Sequence, residues 1–221
     1  MVNLRSAAKA PASDLSARKR AAIQRAGTAV FLRHGYGSAS MDAIAAEAGV
    51  SKQTVYNHFH SKESLFKAIV EKLSAGLATP LGVRDASTGR PEDLLRDFGR
   101  ELLGLMLRPS SLALHRLIVA ESARFPELGG AVYAVGTGRL IEMLSDYLAW
   151  ETRNRRLDVA DPVFAAEQFI GMLSGRVQLR ALLGVCAAPD EAEIGRRVDA
   201  AVAGFLTLHA PAPVAASAAT A

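Results

Sequence analysis

The sequence predicts an all-α protein. Apolar side chains recur three and four positions apart almost throughout its 221 residues, which is the spacing of one face of a helix. No segment keeps the alternation of Val, Ile and Thr that a half-buried strand requires. Prolines and short polar residues stand where these periodic segments begin, and glycines stand where several of them end. Together these patterns predict about nine helices.

Four of these helices are predicted in the N-terminal third. The first runs from about residue 16 to residue 34, and Gly35 ends it. A second, short helix is capped by Ser40 and ends at Gly49. Ser51 then caps a third helix, and a longer fourth helix covers about residues 61–77.

Five further helices are predicted beyond a Gly- and Arg-containing loop at residues 77–90. Prolines occupy the first positions of three of them, at Pro91, Pro126 and Pro162. Four glycines between residues 129 and 138 predict irregular turns in the helix that begins at Pro126. The expected organisation is a flexible basic arm (1–15), a first helical domain (16–78), a second helical domain (79–208) and a disordered tail (209–221).

Composition narrows the possible functions. No long apolar run is free of charge and no apolar segment follows the basic N-terminus, so we expect neither a membrane span nor a secretory signal, and a cytoplasmic location. The single cysteine, Cys186, excludes an internal disulfide and is expected to be a buried structural thiol. Residues 1–72 hold eleven Lys and Arg against five Asp and Glu, whereas the remainder holds fifteen against seventeen. A basic N-terminal third indicates a segment that meets phosphate, although a solvated basic face would look the same.

The second and third helices have the pattern of a helix-turn-helix. Ala45 is small enough for a close crossing, Gly49 makes the turn, and Val55 and Phe59 face inward. The outward side chains donate and accept hydrogen bonds, although any small solvated helix also has polar residues outside. The side chains suited to phosphates are Ser51, Thr54, Tyr56 and Lys62, and those suited to base edges are Lys52, Gln53, Asn57 and His58.

Residues 16–73 resemble the N-terminal domain of the TetR family of bacterial transcriptional regulators. The run "TVYNHFHSKESLF" is similar to the family's Tyr-x-His-Phe-x-x-Lys-Glu-x-Leu pattern. The resemblance implies a homodimeric repressor whose two recognition helices read an inverted repeat in double-stranded DNA. It places Ser40 and Met41 where the second helix meets the DNA backbone, residues 51–58 on the recognition helix, and Lys62 at a phosphate-binding lysine.

The C-terminal body resembles the AefR-like subgroup of the same family, and this resemblance implies that residues 79–208 are a ligand-binding and dimerisation domain. The matching runs are "LIVAESARFPELGGAVY" and "DPVFAAEQFIGMLSG". The resemblance implies that the last two long helices form a four-helix bundle with a partner subunit. The many-sided apolar character of the penultimate helix indicates the same. The alternative is that this helix is an internal core helix of the protomer. The expected dimer contacts are Phe164, Gln168, Leu173, Leu179, Val202 and Phe205.

The resemblance also implies a small, lipophilic effector, whose cavity would lie among the fifth, sixth, seventh and eighth helices. The pattern of each apolar candidate favours plain core over cavity lining, and that of Glu121 favours pairing with Arg124 or Arg116. The candidate lining residues are Met106, Leu117, Glu121, Phe125, Tyr133, Phe169, Met172 and Arg176.

An enzyme is the competing class, and the sequence argues against it. It has no GxSxG, no HExxH and no phosphate-cradling glycine loop, and "GTGRL" lacks the last glycine of a dinucleotide fingerprint. His58 and His60 diverge on a helix, so a shared metal ion is not expected. A helical interaction module without DNA binding is a third possibility, which the polar recognition face argues against. We therefore expect no catalytic residue, cofactor or metal ion.

Overall fold

The N-terminal unit consists of four helices, in agreement with the sequence. The computed structural model describes residues 12–74, 89–185 and 189–211. Cys186, most of the expected linker and of the basic arm, and residues 212–221 of the tail lie outside these ranges. The four helices are α1 (Ala12–Ser38), α2 (Met41–Ala48), α3 (Lys52–His58) and α4 (Lys62–Ser74).

The C-terminal unit is also helical. The expected irregularity after Pro126 takes the form of one π turn, which joins two helices. If these two helices are counted as one continuous helix, the described residues form nine helices, as predicted. The elements are α5 (Pro91–Met106), α6 (Pro109–Ser122), α7 (Pro126–Tyr133), the π turn (Ala134–Gly138), α8 (Arg139–Arg153), α9 (Pro162–Leu182) and α10 (Glu191–Leu208).

The sequence predicts that Gly35 and Gly49 each end a helix. Both glycines have the positive φ that allows them to do so. Gly49 caps α2 with φ 64° and ψ 32°, the left-handed region, and its N–H donates to the carbonyls of Ala45 and Ala46. Gly35 has φ 78° and ψ 163°, which breaks α1 one turn before its last residue. The regular part of α1 therefore ends where the sequence predicts.

The core of the N-terminal unit does not stop at the expected boundary near residue 78. Ile23, Phe31, Ile44 and Phe66 are fully buried among α1, α2 and α4. The same cluster includes Leu114 of α6 and residues of α7. The N-terminal unit is thus packed directly on two helices of the C-terminal unit.

A second core lies between α5, α8, α9 and α10. The ring of Phe169 of α9 lies 6.4 Å from that of Phe98 of α5 and 5.1 Å from that of Phe205 of α10, centre to centre. Glu151, fully buried at the end of α8, accepts from Nε and Nη2 of Arg156 at 2.6 and 2.9 Å.

His209, directly after α10, contacts two earlier parts of the chain. The carbonyl of His209 accepts from the N–H of Asp158 at 2.9 Å, and its ring lies 4.5 Å from that of Phe205. His209 had been expected to belong to the disordered tail. Among the described residues, no single helix is both long and apolar enough to cross a bilayer.

Candidate nucleic-acid interface

The third helix is held from behind by apolar and cationic contacts. Val55 and Phe59 are buried against the rest of the N-terminal unit. Arg20 of α1 donates to the carbonyl of His58 at 3.2 Å, and its guanidinium lies 4.4 Å from the centre of the Phe59 ring. The sequence shows that one face of α1 is basic. It does not show that Arg20 on this face positions α3.

The outer face of α3 carries a set of exposed polar pairs. Ser51 caps the helix by accepting from the N–H of Thr54 at 3.2 Å, and the two hydroxyls lie 2.8 Å apart. The amide of Gln53 donates to Asn57 Oδ1 at 2.9 Å. Lys52 Nζ lies 2.8 Å from Oδ1 of Asp42 on α2. Because these groups are exposed, apart from the half-buried Thr54, water or another ligand can replace their partners at small net cost.

The structure brings nearly all of the predicted DNA contacts onto this one face. Thr54 and His58 are half-buried, and the others on the recognition segment are exposed: Ser51, Lys52, Gln53, Tyr56 and Asn57. Ser40 is exposed and caps α2 by accepting from the N–H of Ala43 at 3.1 Å.

Met41 departs from the expected arrangement. Its side chain is only 7% exposed and belongs to the core of the N-terminal unit. Since a buried thioether cannot reach a DNA backbone, its contribution is to pack α2.

Lys62 also differs from its expected role. Its ammonium donates to the carbonyls of Tyr36, Gly37 and Ala39 at 2.7, 3.1 and 3.1 Å. These carbonyls form the negative end of α1, and the three bonds use all three N–H groups of the ammonium. Burial lowers the pKa of Lys62, and the charge of Glu121 partly offsets this effect. Lys62 therefore joins the start of α4 to the end of α1 and has no N–H left for a phosphate.

Glu121 and Phe125 meet the N-terminal unit at the same point. The ring of Phe125 lies 5.3 Å from that of Tyr36, edge to face. A Cβ placed on Gly35 would lie 2.7 Å from Oε1 of Glu121. The other oxygen, Oε2, is buried and accepts no hydrogen bond from the described residues. The break in α1 therefore makes room for a carboxylate from α6.

The pairing considered for Glu121 from the sequence does not form. Arg116 donates to the carbonyls of Ala181 and Leu182 at the end of α9, both at 2.7 Å. Arg124 lies over the ring of Phe125 instead.

The eight candidate ligand-lining residues do not share one cavity. Leu117 and Phe125 pack on the N-terminal core, and Met106 packs on the C-terminal core. Phe169 is completely buried, whereas Tyr133 is 56% exposed and Arg176 also faces solvent. Met172 lines an outer groove between α9 and α10. Sequence periodicity marks the apolar face of each helix, but it does not tell which faces enclose a space.

The candidate dimer contacts divide in a similar way. Leu173, Val202 and Phe205 are buried in the protomer's own core, because the inward faces of α9 and α10 pack on α5. Phe164 and Leu179 are 57% and 56% exposed, and Gln168 is half-buried. Only this second group can meet a partner.

Comparisons with known proteins agree with this arrangement. Residues 23–69 match the family of bacterial regulatory proteins named tetR, and residues 93–211 match the C-terminal domain of AefR-like transcriptional repressors. A TetR-family regulator from Mesorhizobium loti MAFF303099 has a similar structure, with a TM-score of 0.75 and 32% identity over 88% of this chain and 98% of that one. The flavonoid-responsive regulator FrrA has a TM-score of 0.73 and 36% identity over 89% of this chain and all of that one.

Two curated relatives match less than a third of this chain each. The transcriptional repressor SCO4008 of Streptomyces coelicolor is 42% identical over 64 residues, 29% of this chain and 33% of that protein. The transcriptional activator FasR of Mycolicibacterium smegmatis is 41% identical over 68 residues, 31% of this chain and 30% of that protein. The chain thus matches about a third of the length of these relatives. From its helix-turn-helix face, its fold and these matches, the chain belongs to the TetR family of DNA-binding transcriptional regulators, which are not enzymes.

Proposed function

We propose that the protein is a homodimeric repressor that binds an inverted-repeat operator and is released by a lipophilic effector. The exposed polar face of α3 is the observation that carries this proposal. A helix of this kind fits the major groove, and two copies related by a two-fold axis reach successive grooves when they are about 34–36 Å apart.

On this face, we assign base contacts and phosphate contacts to different residues. Lys52, Gln53 and Asn57 are exposed. Lys52 bonds to Asp42, and Gln53 bonds to Asn57. Once bases replace these partners, the three side chains suit guanine or adenine edges. Ser51 and Tyr56 suit phosphates through their hydroxyls. Ser40, Thr54 and His58 lie beside them.

The test is selection of bound fragments from a random DNA pool at about 0.15 M salt. We expect an inverted repeat to be recovered. Asn57→Ala should then cost about 1–3 kcal/mol on that sequence and relax the base preference at one position of each half-site. Asn154→Ala, an exposed Asn after α8, is the control and should have no effect. Recovery of random sequence would refute an operator-specific regulator.

The outer face of α9 and α10 supports a dimer. Phe164 and Leu179 of α9 are exposed, and a groove of about 580 Å³, lined by Met172 and by residues of α10, lies between the two helices. A Cβ added at Gly171 or Gly204 would meet open space within the protomer, so a second backbone can approach closely. Replacing both apolar residues, Phe164→Ser with Leu179→Ser, should give monomers in sedimentation. Val119→Ser, at an exposed valine on α6, should leave the dimer intact. Monomers in the unaltered protein would refute this part of the proposal.

The contact at the end of α6 supports a route from effector to DNA. Glu121 and Phe125 touch the segment at the end of α1 to which Lys62 is bonded. A shift of α6 therefore moves α1 and α4, which carry α3. A ligand shifts a conformational equilibrium only if it binds one state more tightly than the other. The effector must therefore bind more tightly to the state in which the two α3 helices are not spaced for successive major grooves.

The relation to FrrA supports an aromatic, lipophilic effector. Adding a panel of flavonoids to the protein on its selected operator should release the DNA, and long-chain fatty acids serve as the lipophilic comparison. In a reporter strain, deletion of the gene should raise expression if the protein is a repressor. A fall in expression would assign it to the activators, as with FasR.

A further inference from the structure

A basic cleft lies where the DNA-binding unit meets the start of α6. Its volume is about 230 Å³, and it is enclosed by α1, α4 and the first residues of α6. Lys72 on its wall lies ten residues after Lys62, about 15 Å along α4, so the cleft is well removed from the start of that helix. It shares no residue with the candidate effector region or with the outer groove of α9 and α10.

Three cations from three different elements line this cleft. They are Arg25 of α1, Lys72 of α4 and Arg108 at the cap of α6, and all three side chains are exposed. Within the part of the chain that the structure describes, none of these three side chains makes a hydrogen bond or an ion pair. Arg96, in contrast, contacts three carboxylates. Three unpaired cations around one space repel one another, and an anion between them removes that repulsion.

The start of α6 adds donors to the same space. This helix has 14 residues and begins with Pro109, and no side chain caps it. The first intrahelical bond belongs to Leu112, whose N–H donates to the carbonyl of Arg108. The N–H groups of Ser110 and Ser111 therefore belong to the unpaired set at a helix start, where the dipole also favours an anion. Ser110 lines the cleft.

The floor of the cleft is apolar and its polar groups are satisfied. Ile69 and Leu73 of α4 form part of it. The Gln24 amide donates to the carbonyl of Ala68, and the Thr28 hydroxyl donates to the carbonyl of Gln24. The cations and Ser110 are thus left to bind a ligand above an apolar surface.

We propose that this cleft binds a small oxyanion, a phosphate or carboxylate with an apolar body, and so links the α1–α4 unit to the start of α6. Arg25, Lys72 and Arg108 bind the oxyanion, and Ile69 and Leu73 contact the apolar body. The binding itself does not depend on the proposed function. Its regulatory consequence does: a bound anion lowers the positive potential of the DNA-binding unit and weakens its hold on DNA.

The test is calorimetric titration with inorganic phosphate, phenyl phosphate and benzoate at constant ionic strength. We expect saturable binding, and tighter binding of phenyl phosphate than of inorganic phosphate. Comparing the affinities for phenyl phosphate and benzoate shows whether the cleft prefers a phosphate or a carboxylate. Arg25→Gln, Lys72→Gln and Arg108→Gln should each weaken binding about tenfold. Arg153→Gln, at an exposed arginine far along the chain at the end of α8, is the matched control. Melting without anion checks that every variant is folded.

Two results would overturn the proposal. If no anion binds saturably, or if Arg153→Gln weakens binding as much as the three cleft variants, the cleft is only a solvated basic surface. With binding established, phenyl phosphate should weaken operator affinity about fivefold in the unaltered protein and not in Arg108→Gln. Binding without that effect would refute the regulatory consequence alone, and failure to bind any DNA would instead refute the proposed function.

Discussion

Replacing Lys62 by methionine separates two roles for this residue, a structural bond between helices and a phosphate contact. Methionine keeps most of the length and apolar stem of lysine but removes the ammonium. Three carbonyls at the end of α1 then lose a donor at 2.7–3.1 Å, and the Tyr36 ring loses a cation 4.6 Å from its centre.

The expected loss of stability follows from these contacts. A hydrogen bond to a charged group contributes about 1.5–3 kcal/mol. One half-buried ammonium donates all three bonds, so its desolvation cost is subtracted only once. We therefore assign the three bonds together the free energy of one strong hydrogen bond. Lys62→Met should therefore lower the free energy of unfolding by about 2–3 kcal/mol, a fall in Tm of roughly 5–10 °C.

Urea denaturation and DNA binding over a range of salt concentrations provide the assay. We expect the salt dependence of DNA binding to keep its slope, since all three N–H groups are committed within the protein. Lys67→Met, on the same helix, is the control, because no partner is found for Lys67 among the described residues. The reasoning is refuted if Lys62→Met leaves stability within about 0.5 kcal/mol and flattens the slope by about one unit, as loss of a phosphate contact would.

Three further predictions concern the packing that holds the site. Gly35→Ala should cost about 2 kcal/mol or more, because its φ of 78° strains any side chain and its Cβ would meet Glu121, whereas Gly49→Ala, in open space, should cost about 1 kcal/mol. Relief of the Gly35→Ala defect by Glu121→Ala checks the clash, and no relief would contradict it. Glu151→Gln should cost about 3 kcal/mol in urea denaturation because it leaves Arg156 without its buried partner, whereas Glu142→Gln, in an exposed pair, should cost under about 0.5 kcal/mol. Burial raises the pKa of Tyr147 above its usual range, so the folded state keeps the phenol neutral while the unfolded chain releases its proton near pH 10. Stability should therefore decline as pH rises past about 10, and less so in Tyr147→Phe; an equal decline in both proteins would contradict this.

The sequence by itself determined the helical fold and the location of the recognition segment. These features depend on local rules: capping serines precede α2 and α3, Gly49 can adopt a positive φ, and Val55 and Phe59 lie four residues apart. The exposed polar face of α3 follows from the same spacing, and this is why most of the DNA-contact candidates lie together.

The tertiary structure alone decided which partner each of the other residues meets. Lys62 binds carbonyls 23–26 residues earlier in the chain, and Glu121 enters the break at Gly35. Leu173 faces the core while Leu179 faces solvent, although both lie on one apolar helix. Periodicity tells which side of a helix is apolar, but burial depends on which helices lie against that side. That choice is made by packing between segments far apart in the chain, and no local pattern encodes it.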